Sequence, residues 1–410
     1  MRRSVQVGFV LIISVVLAIA TAEILARVYS PAGYYVWPPH FRRTMRLSPG
    51  LTSDKPGWTN LTINSLGIRG DPFRSDQKYR LLAVGGSTTI CTYLDDTDTW
   101  TYQVQERVNR ELGADTIWVG NVGRPGHSTV QHVPQVEKLL EQHREIDGVI
   151  LLIGINDLLL RLSGLRDRKG AAPPSKPRPR ARRMQRLESP ERLKRAFSLF
   201  PSQEADSRWY SDTGLGRLWM SRTSHAPDLP VALPSQDERG AFVKKLRAYR
   251  KQASSFRHQL PDLTRPLSDY EWQVNAIIDA AEKLDRRVIF LTQPTIWRRG
   301  LSPEELDILW MGGPPLHQAK PGMEYYSVEA LAAGMKMYNN RLLQVCRERG
   351  VECVDAAERL PKDTTVFWDD AHYTKHGAAM LADLLTEYLL AHEPLSGLRE
   401  RADARLGTQP

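Results

Sequence analysis

The sequence predicts an α/β fold, a three-layer α/β/α sandwich with a five-stranded parallel sheet, preceded by an N-terminal transmembrane helix. Short apolar runs alternate with longer amphipathic segments between residues 79 and 392, which is typical of strands and helices around a parallel sheet. The run over 148–153 is apolar throughout, as expected of a parallel strand covered on both faces. The composition, 41% hydrophobic and 25% charged over 410 residues, is that of an ordinary folded protein.

Each element has its own local signal. Short apolar runs that end in turn-forming or polar residues predict strands over 79–84, 116–121, 148–153, 287–292 and 351–355. Longer segments with helical periodicity predict helices over 99–112, 130–144, 237–256, 273–284, 327–349 and 375–392. Residues 31–78 are predicted to be an extended lead-in that packs on the domain, the domain itself spans 79–392, and 393–410 form a C-terminal tail.

The first 30 residues predict a membrane-directed segment. Two arginines precede an apolar run over 7–22, whose length is near the lower limit of the roughly 17–25 residues that span a bilayer. We favour an uncleaved anchor because helical, mostly apolar residues continue to a basic stop at Arg27; a signal peptide cleaved after the small residues at 20–22 is the alternative. The third interpretation of this segment, a buried helix of a soluble domain, is the least favoured. With either of the first two, the bulk of the chain is extracytoplasmic.

The net charge of +9 belongs to one segment. Of the 56 Lys and Arg, 13 lie between Arg161 and Arg195, with only three of the 47 Asp and Glu, so the rest of the chain is close to neutral. Export, this neutrality and the lack of interleaved aromatics argue against nucleic-acid binding. We therefore predict a solvated, partly disordered basic insertion over 161–235, with contact to anionic lipid or acidic polysaccharide as an alternative.

Polar residues that could carry chemistry follow three of the predicted strands. In an open α/β sheet the loops at the carboxyl ends of the strands build the site. Ser87 follows a glycine pair, which allows a sharp turn, although a helix N-cap role is the simpler explanation of that serine when it is taken alone. Gly126 offers an unobstructed backbone N–H, and Asn156 offers an amide donor, although both also suit ordinary turns.

A carboxylate and an imidazole precede the last predicted helix. The spacing of Asp369 and His372 can place both on one side of a turn, where the carboxylate would fix the tautomer of the ring and leave its other nitrogen as a base. Asp370 is the alternative partner. Asp157, His127 and His376 are predicted to be structural or capping residues.

These four pieces resemble the four sequence blocks of the SGNH (GDSL-type) hydrolase superfamily, in order and each in the expected place. The blocks read Gly-Gly-Ser87-Thr-Thr, the Gly126 turn, Gly-Ile-Asn156-Asp and Asp369-Asp-Ala-His372. The resemblance covers about 78–160 and 270–392. One departure is Gly86, which stands where the first block usually has an aspartate that is not the triad acid.

The resemblance implies a flavodoxin-like SGNH fold and a serine hydrolase. It implies Ser87 as the nucleophile, His372 as the general base and Asp369 as its orienting partner, with an oxyanion hole formed by the Ser87 N–H, the Gly126 N–H and the Asn156 side chain. The expected function is a membrane-tethered serine esterase acting on O-acyl groups of carbohydrate or lipid. The alternatives are an O-acetyltransferase that uses the same residues and a non-catalytic carbohydrate-binding protein.

Other features predict less. No cofactor or metal is expected, because three cysteines without zinc-ligand spacing form no metal set and no nucleotide loop is visible. Cys346 and Cys353 flank a helix-to-strand turn, where their spacing leaves pairing open, and Cys91 is predicted to be a packed core thiol. Residues 294–326 are a candidate lid or substrate wall, or alternatively a structural flap with an apolar underside.

Overall fold

The computed structural model describes residues 13–22, 33–46, 58–164 and 238–399. Its centre is a five-stranded parallel sheet of order β4-β3-β5-β7-β9. These strands are β3 (Tyr79–Gly85), β4 (Ile117–Asn121), β5 (Gly148–Leu152), β7 (Arg287–Leu291) and β9 (Glu352–Val354). The predicted parallel sheet is confirmed, and every strand lies within two residues of its predicted bounds.

Two short strand pairs in the described residues are separate from this sheet. They are the antiparallel pair β1 (Arg42–Arg46) and β2 (Trp58–Thr62), and the parallel pair β6 (Phe256–Arg257) and β8 (Tyr325–Tyr326).

Within the described ranges, residues 13–22 are helical and are labelled α1, and ten further α-helices follow them. They are α2 (Ser87–Ile90), α3 (Trp100–Glu111), α4 (Thr129–Gln142), α5 (Ile155–Leu162), α6 (Glu238–Lys251), α7 (Thr264–Glu282), α8 (Pro303–Asp307), α9 (Val328–Arg349), α10 (Ala356–Arg359) and α11 (Lys375–Ala391). The helix predicted over 273–284 begins earlier, since the polar first turns of α7 carry a weaker apolar signal.

Two helical layers cover the sheet. Helices α4, α7 and α9 pack side by side, and α3 packs against α11. The chain moves in one direction across the sheet from β3 to β4 and in the opposite direction from β4 onward. Because parallel crossovers are right-handed, the α3–α11 pair and the α4, α7 and α9 helices therefore lie on opposite faces of the sheet. The strands between them are buried on both sides, which explains their continuous apolar sequences.

The lead-in is fastened to the body at several points. The Tyr34 backbone N–H donates to Gln142 Oε1 at 2.6 Å, and the Trp37 indole donates to the Gly123 carbonyl at 2.8 Å. Arg69 pairs through its backbone with Asn121 at the end of β4. The lead-in therefore contributes the β1–β2 pair and core contacts in addition to the extended chain that its sequence predicts.

Several predictions fall wholly or partly outside the described residues. Of the predicted membrane segment only 13–22 is described, and no helix within the described ranges is long and apolar enough to cross a bilayer. Residues 165–237, which include most of the predicted insertion, lie outside the description. Leu395, in the predicted C-terminal tail, is fully buried. The cysteine pairing that the sequence leaves open is formed, because Cys346 is bonded to Cys353.

Candidate active site

The first strand of the sheet leads directly into Ser87. Gly85 is the last residue of β3. A Cβ added to Gly85 would lie 2.1 Å from Thr89 Oγ1 and 2.5 Å from the Leu152 carbonyl oxygen, so only glycine fits this position. Gly86 is the N-cap of α2 and Ser87 is its first residue. Ser87 therefore does not cap the helix, and the alternative that it serves only as an N-cap is wrong.

Asp369 and His372 form a close pair after β9. His372 Nδ1 lies 2.7 Å from Asp369 Oδ2, and Asp369 Oδ1 accepts the backbone N–H groups of Ala371 and His372 at 2.9 and 2.8 Å. The carboxylate is fully buried, whereas 16% of the His372 side chain is exposed. The carboxylate orients the imidazole through Nδ1 and leaves Nε2 available for chemistry.

Asp370 points the other way, into the residues that follow β7. Its Oδ1 accepts the Trp297 indole N–H at 2.8 Å, and its Oδ2 accepts the backbone N–H groups of Trp310 and Met311 at 2.8 and 3.1 Å. Asp369 is thus the partner of His372, and Asp370 holds the 294–326 segment. Because Trp297 and Met311 are buried against the body, this segment matches the structural-flap alternative.

The charges of this cluster shift its pKa values in opposite directions. Burial lowers the pKa of His372, but the charge of Asp369 and its hydrogen bond raise it, and the net pKa lies above its usual value. Burial raises the pKa of Asp369, yet attraction to His372 outweighs this and the net pKa is lowered. Burial and the neighbouring Asp369 charge raise the pKa of Asp370. Asp369 is therefore the carboxylate that stays ionised beside the imidazole.

Ser87 and His372 line the same small pocket, with Trp368 and the segment 91–94 as further walls. The indole of Trp368 stacks on the imidazole of His372, with ring centroids 5.3 Å apart and an interplanar angle of 19°. Cys91 also borders this pocket, but it is buried and burial raises its pKa to about 12, so it is a packed thiol rather than a nucleophile.

Asn156 lies beside Gly86, and it binds the carbonyl of the residue that follows Gly126. Asn156 Nδ2 donates to the His127 carbonyl at 2.8 Å, and a Cβ added to Gly86 would come within 2.6 Å of this same nitrogen. Gly126 has φ +79°, a conformation that favours glycine. Within the described part of the chain, no acceptor takes the backbone N–H of Ser87 or of Gly126.

Two of the residues predicted to be structural, His127 and Asp157, lie at the segment that follows Gly126, whereas His376 lies in the first turn of α11. Asp157 is fully buried and accepts the backbone N–H of Thr129, at the start of α4, at 3.2 Å and its hydroxyl at 2.6 Å. Burial lowers the pKa of His127 to about 3 and that of His132 to about 4, so both rings are neutral. Among the described residues, no group of three or more His, Cys, Asp or Glu could hold a metal ion.

Three residues that sequence reasoning missed support the site. Trp310 donates its indole N–H to Asp369 Oδ2 at 2.8 Å. Arg247, on α6, donates to the Trp368 carbonyl at 2.6 Å, and its guanidinium lies 5.8 Å from the centre of the Trp368 ring. The helical spacing of Arg247 after the buried Val243 was a signal for an inward-facing arginine.

The third residue is Arg69, which binds backbone carbonyls of the segment that follows Ser87. Its guanidinium donates to the carbonyls of Ile90, Cys91, Leu94 and Asn60 and to the carboxylate of Asp96. All five N–H groups thus have acceptors. Since Ile90 ends helix α2, Arg69 satisfies carbonyls at the end of the helix that begins with Ser87.

Comparison with known proteins identifies the family. Residues 83–380 match the GDSL-like lipase/acylhydrolase family. The chain belongs to this family. As a GDSL-like acylhydrolase it is an enzyme of the SGNH hydrolase superfamily and of the esterase type, and the matched range contains every candidate site residue.

Solved structures of low identity align with this GDSL-like chain. An acetylxylan esterase, Axe2 from Geobacillus stearothermophilus, is 14% identical, with 77% of this chain and 95% of that chain covered and a TM-score of 0.38. LAE5, an α/β hydrolase from the metagenome of Lake Arreo, is 12% identical, with 77% and 94% covered and a TM-score of 0.39. A protein of the G-D-S-L family from Desulfitobacterium hafniense is 9% identical, with 76% and 100% covered and a TM-score of 0.36. No curated protein matches the sequence.

Proposed function

We propose that this GDSL-like enzyme is a serine esterase that uses Ser87 as nucleophile, His372 as general base and Asp369 as the carboxylate that orients His372. The observation that carries the proposal is that Ser87 and His372 line one pocket while Asp369 lies 2.7 Å from the far nitrogen of the same imidazole. A nucleophile, a base and an orienting group in this relation are the requirements of acyl transfer through a covalent intermediate.

In the proposed reaction, His372 Nε2 takes the Ser87 hydroxyl proton as Oγ attacks the ester carbonyl. The negative charge that develops on the carbonyl oxygen is stabilised by the N–H groups of Ser87 and Gly126 and by the Asn156 amide. Each such donor is worth about 2.7–4 kcal/mol of transition-state stabilisation in comparable sites. His372 then protonates the leaving alcohol, and water, activated by the same imidazole, releases the acid.

We further propose an extracytoplasmic location, with an N-terminal anchor and O-acylated carbohydrate or lipid as substrate. Support comes from the basic and apolar pattern of the first 30 residues. The Cys346–Cys353 disulfide is a second support, because disulfides persist mainly in oxidising compartments.

Hydrolysis of p-nitrophenyl acetate by the purified full-length chain tests the catalytic proposal. Ser87→Ala should reduce kcat to the background rate while leaving the circular dichroism spectrum and Tm unchanged. Ser75→Ala, which changes an exposed serine in the lead-in, serves as the matched control and should keep full activity. Undiminished hydrolysis by Ser87→Ala would overturn the assignment.

A further inference from the structure

The pocket shared by Ser87 and His372 is very small, with a volume of about 20 Å³. In this measure a cavity needs about 10–15 Å³ to hold a single water molecule. The enclosed space that Ser87 and His372 share is therefore closer in size to a single methyl group than to a longer acyl chain.

We propose that this pocket receives the acyl methyl group and restricts the enzyme to acetyl esters, with Tyr93 and Trp368 as the residues that set the limit. The inference rests on the proposed serine-esterase function and adds the identity of its acyl group. In this reaction the Ser87 Oγ–acetyl bond forms as the ester C–O bond breaks, the alcohol leaves with the proton carried by His372, and water then releases acetic acid.

Two aromatic side chains, Tyr93 and Trp368, form a wall of the pocket that Ser87 and His372 also line. Trp368 is 4% exposed and stacks on His372, so its ring cannot turn away without leaving the imidazole. Tyr93 packs edge-on against Trp368, with centroids 5.2 Å apart and an interplanar angle of 82°. The two rings thus close the pocket together.

Buried arginines hold both sides of this wall in place. Arg247, 8% exposed, donates to the Trp368 carbonyl and lies over the Trp368 ring, and Val243 from the same helix packs on that tryptophan. On the other side, Arg69 donates to the Leu94 carbonyl at 2.8 Å, next to Tyr93 in the chain. A charged hydrogen bond at each end resists widening of the pocket by a longer chain.

Acyl-chain profiling tests this proposal on the full-length enzyme. We would measure kcat/KM for p-nitrophenyl acetate, butyrate and octanoate. One extra methylene in a closed apolar pocket changes kcat/KM by about 10- to 200-fold. We therefore expect the wild type to prefer acetate over butyrate at least about tenfold, and to cleave octanoate at the background rate.

Variants of the wall separate its size from its other roles. Tyr93→Ala should raise the butyrate-to-acetate ratio of kcat/KM about tenfold, whereas Tyr93→Phe retains the ring and should keep the wild-type ratio. Because a ratio is measured, a general loss of activity does not affect the readout. Trp272→Ala removes a tryptophan that is 63% exposed on α7 and should leave the ratio and the rates unchanged.

The outcomes distinguish this inference from the function on which it rests. Equal wild-type rates on acetate and octanoate, or an unchanged ratio in Tyr93→Ala, would overturn the acetyl restriction while leaving a serine esterase in place. A wild type that cleaves none of the esters would overturn the proposed function itself.

Discussion

The indole N–H of Trp310 donates to Asp369 Oδ2, the carboxylate oxygen that also faces the His372 imidazole. A segment far from His372 in sequence thus fixes the carboxylate that orients this imidazole. Because Asp370 accepts the backbone N–H of the same tryptophan, the two adjacent aspartates hold Trp310 from two sides.

Trp310→Phe keeps an aromatic ring but removes this donor. A hydrogen bond to a charged group contributes about 1.5–3 kcal/mol, and 1.4 kcal/mol corresponds to a tenfold change in rate. We expect kcat on p-nitrophenyl acetate to fall at least about tenfold with little change in KM, because Asp369 orients the base and does not contact substrate. Trp58→Phe, at a half-exposed tryptophan on β2, is the control. An unchanged kcat would show that Asp369 is held without Trp310.

The pH dependence of activity should report the pKa of His372. The base must be neutral to take a proton, and its folded pKa is raised above the usual value of about 6.5. Activity is therefore present at high pH and is lost as the pH falls through a value above 6.5. A pH–rate profile of kcat/KM between about pH 4.5 and 9 measures this acidic limb.

Asp369→Asn should move that limb in the opposite direction. With the negative charge removed, the pKa-lowering effect of burial is no longer outweighed by Asp369, and the apparent pKa should fall. The rate itself should drop by about 10⁴, since an amide no longer stabilises the imidazolium or fixes its tautomer. A profile that stays in place in this variant would contradict the pairing of these two residues.

Arg69→Met should destabilise the fold as well as the site. Removing one partner from a buried ion pair costs about 3–5 kcal/mol, and the partial exposure of Asp96 places the expected loss near the lower end, about 3 kcal/mol. Denaturant unfolding would measure it. Arg74→Met changes an exposed arginine of the same lead-in and should leave the unfolding midpoint in place. Equal effects of the two substitutions on the unfolding midpoint would argue against a stabilising role for the buried contacts of Arg69.

Thiol counting tests the disulfide. Denatured but unreduced protein should show one reactive thiol, Cys91, and reduced protein should show all three. For two cysteines separated by seven positions, the chain-entropy relation gives about 2.5 kcal/mol of stabilisation, so reduction should lower the free energy of unfolding by about this amount. Three reactive thiols before reduction would contradict the bond.

The strands could be predicted from the sequence because buried parallel strands carry a strong local signal. The run 148–153 is apolar on both faces, which predicts a central strand covered by helices on both sides. The candidate site residues Ser87, Asp369 and His372 could also be selected from the sequence, since each lies in a short segment whose chemistry is readable within a few residues. Their proximity in space follows from the topology of a parallel sheet.

The supporting residues could not be predicted in the same way. Arg247 donates a hydrogen bond to a backbone carbonyl 121 positions away in the chain. Because every residue has such a carbonyl, the sequence does not indicate which one an arginine will bind. Arg69 likewise binds four carbonyls and only one side chain. The sequence places Trp310 within the 294–326 segment, a lid, wall or flap, but only the fold shows that its indole reaches Asp369.

The attachment of the lead-in to the body near Tyr34 also limits how far the body can lie from the N-terminal helix. If the helix that includes residues 13–22 lies in a bilayer as we propose, the chain between positions 22 and 34 spans at most about 40 Å even when fully extended. The catalytic body would then work within a fixed radius of the membrane surface. Its substrate would have to be a component that comes within that radius, and lengthening this stretch of chain would extend the layer that the enzyme can sample.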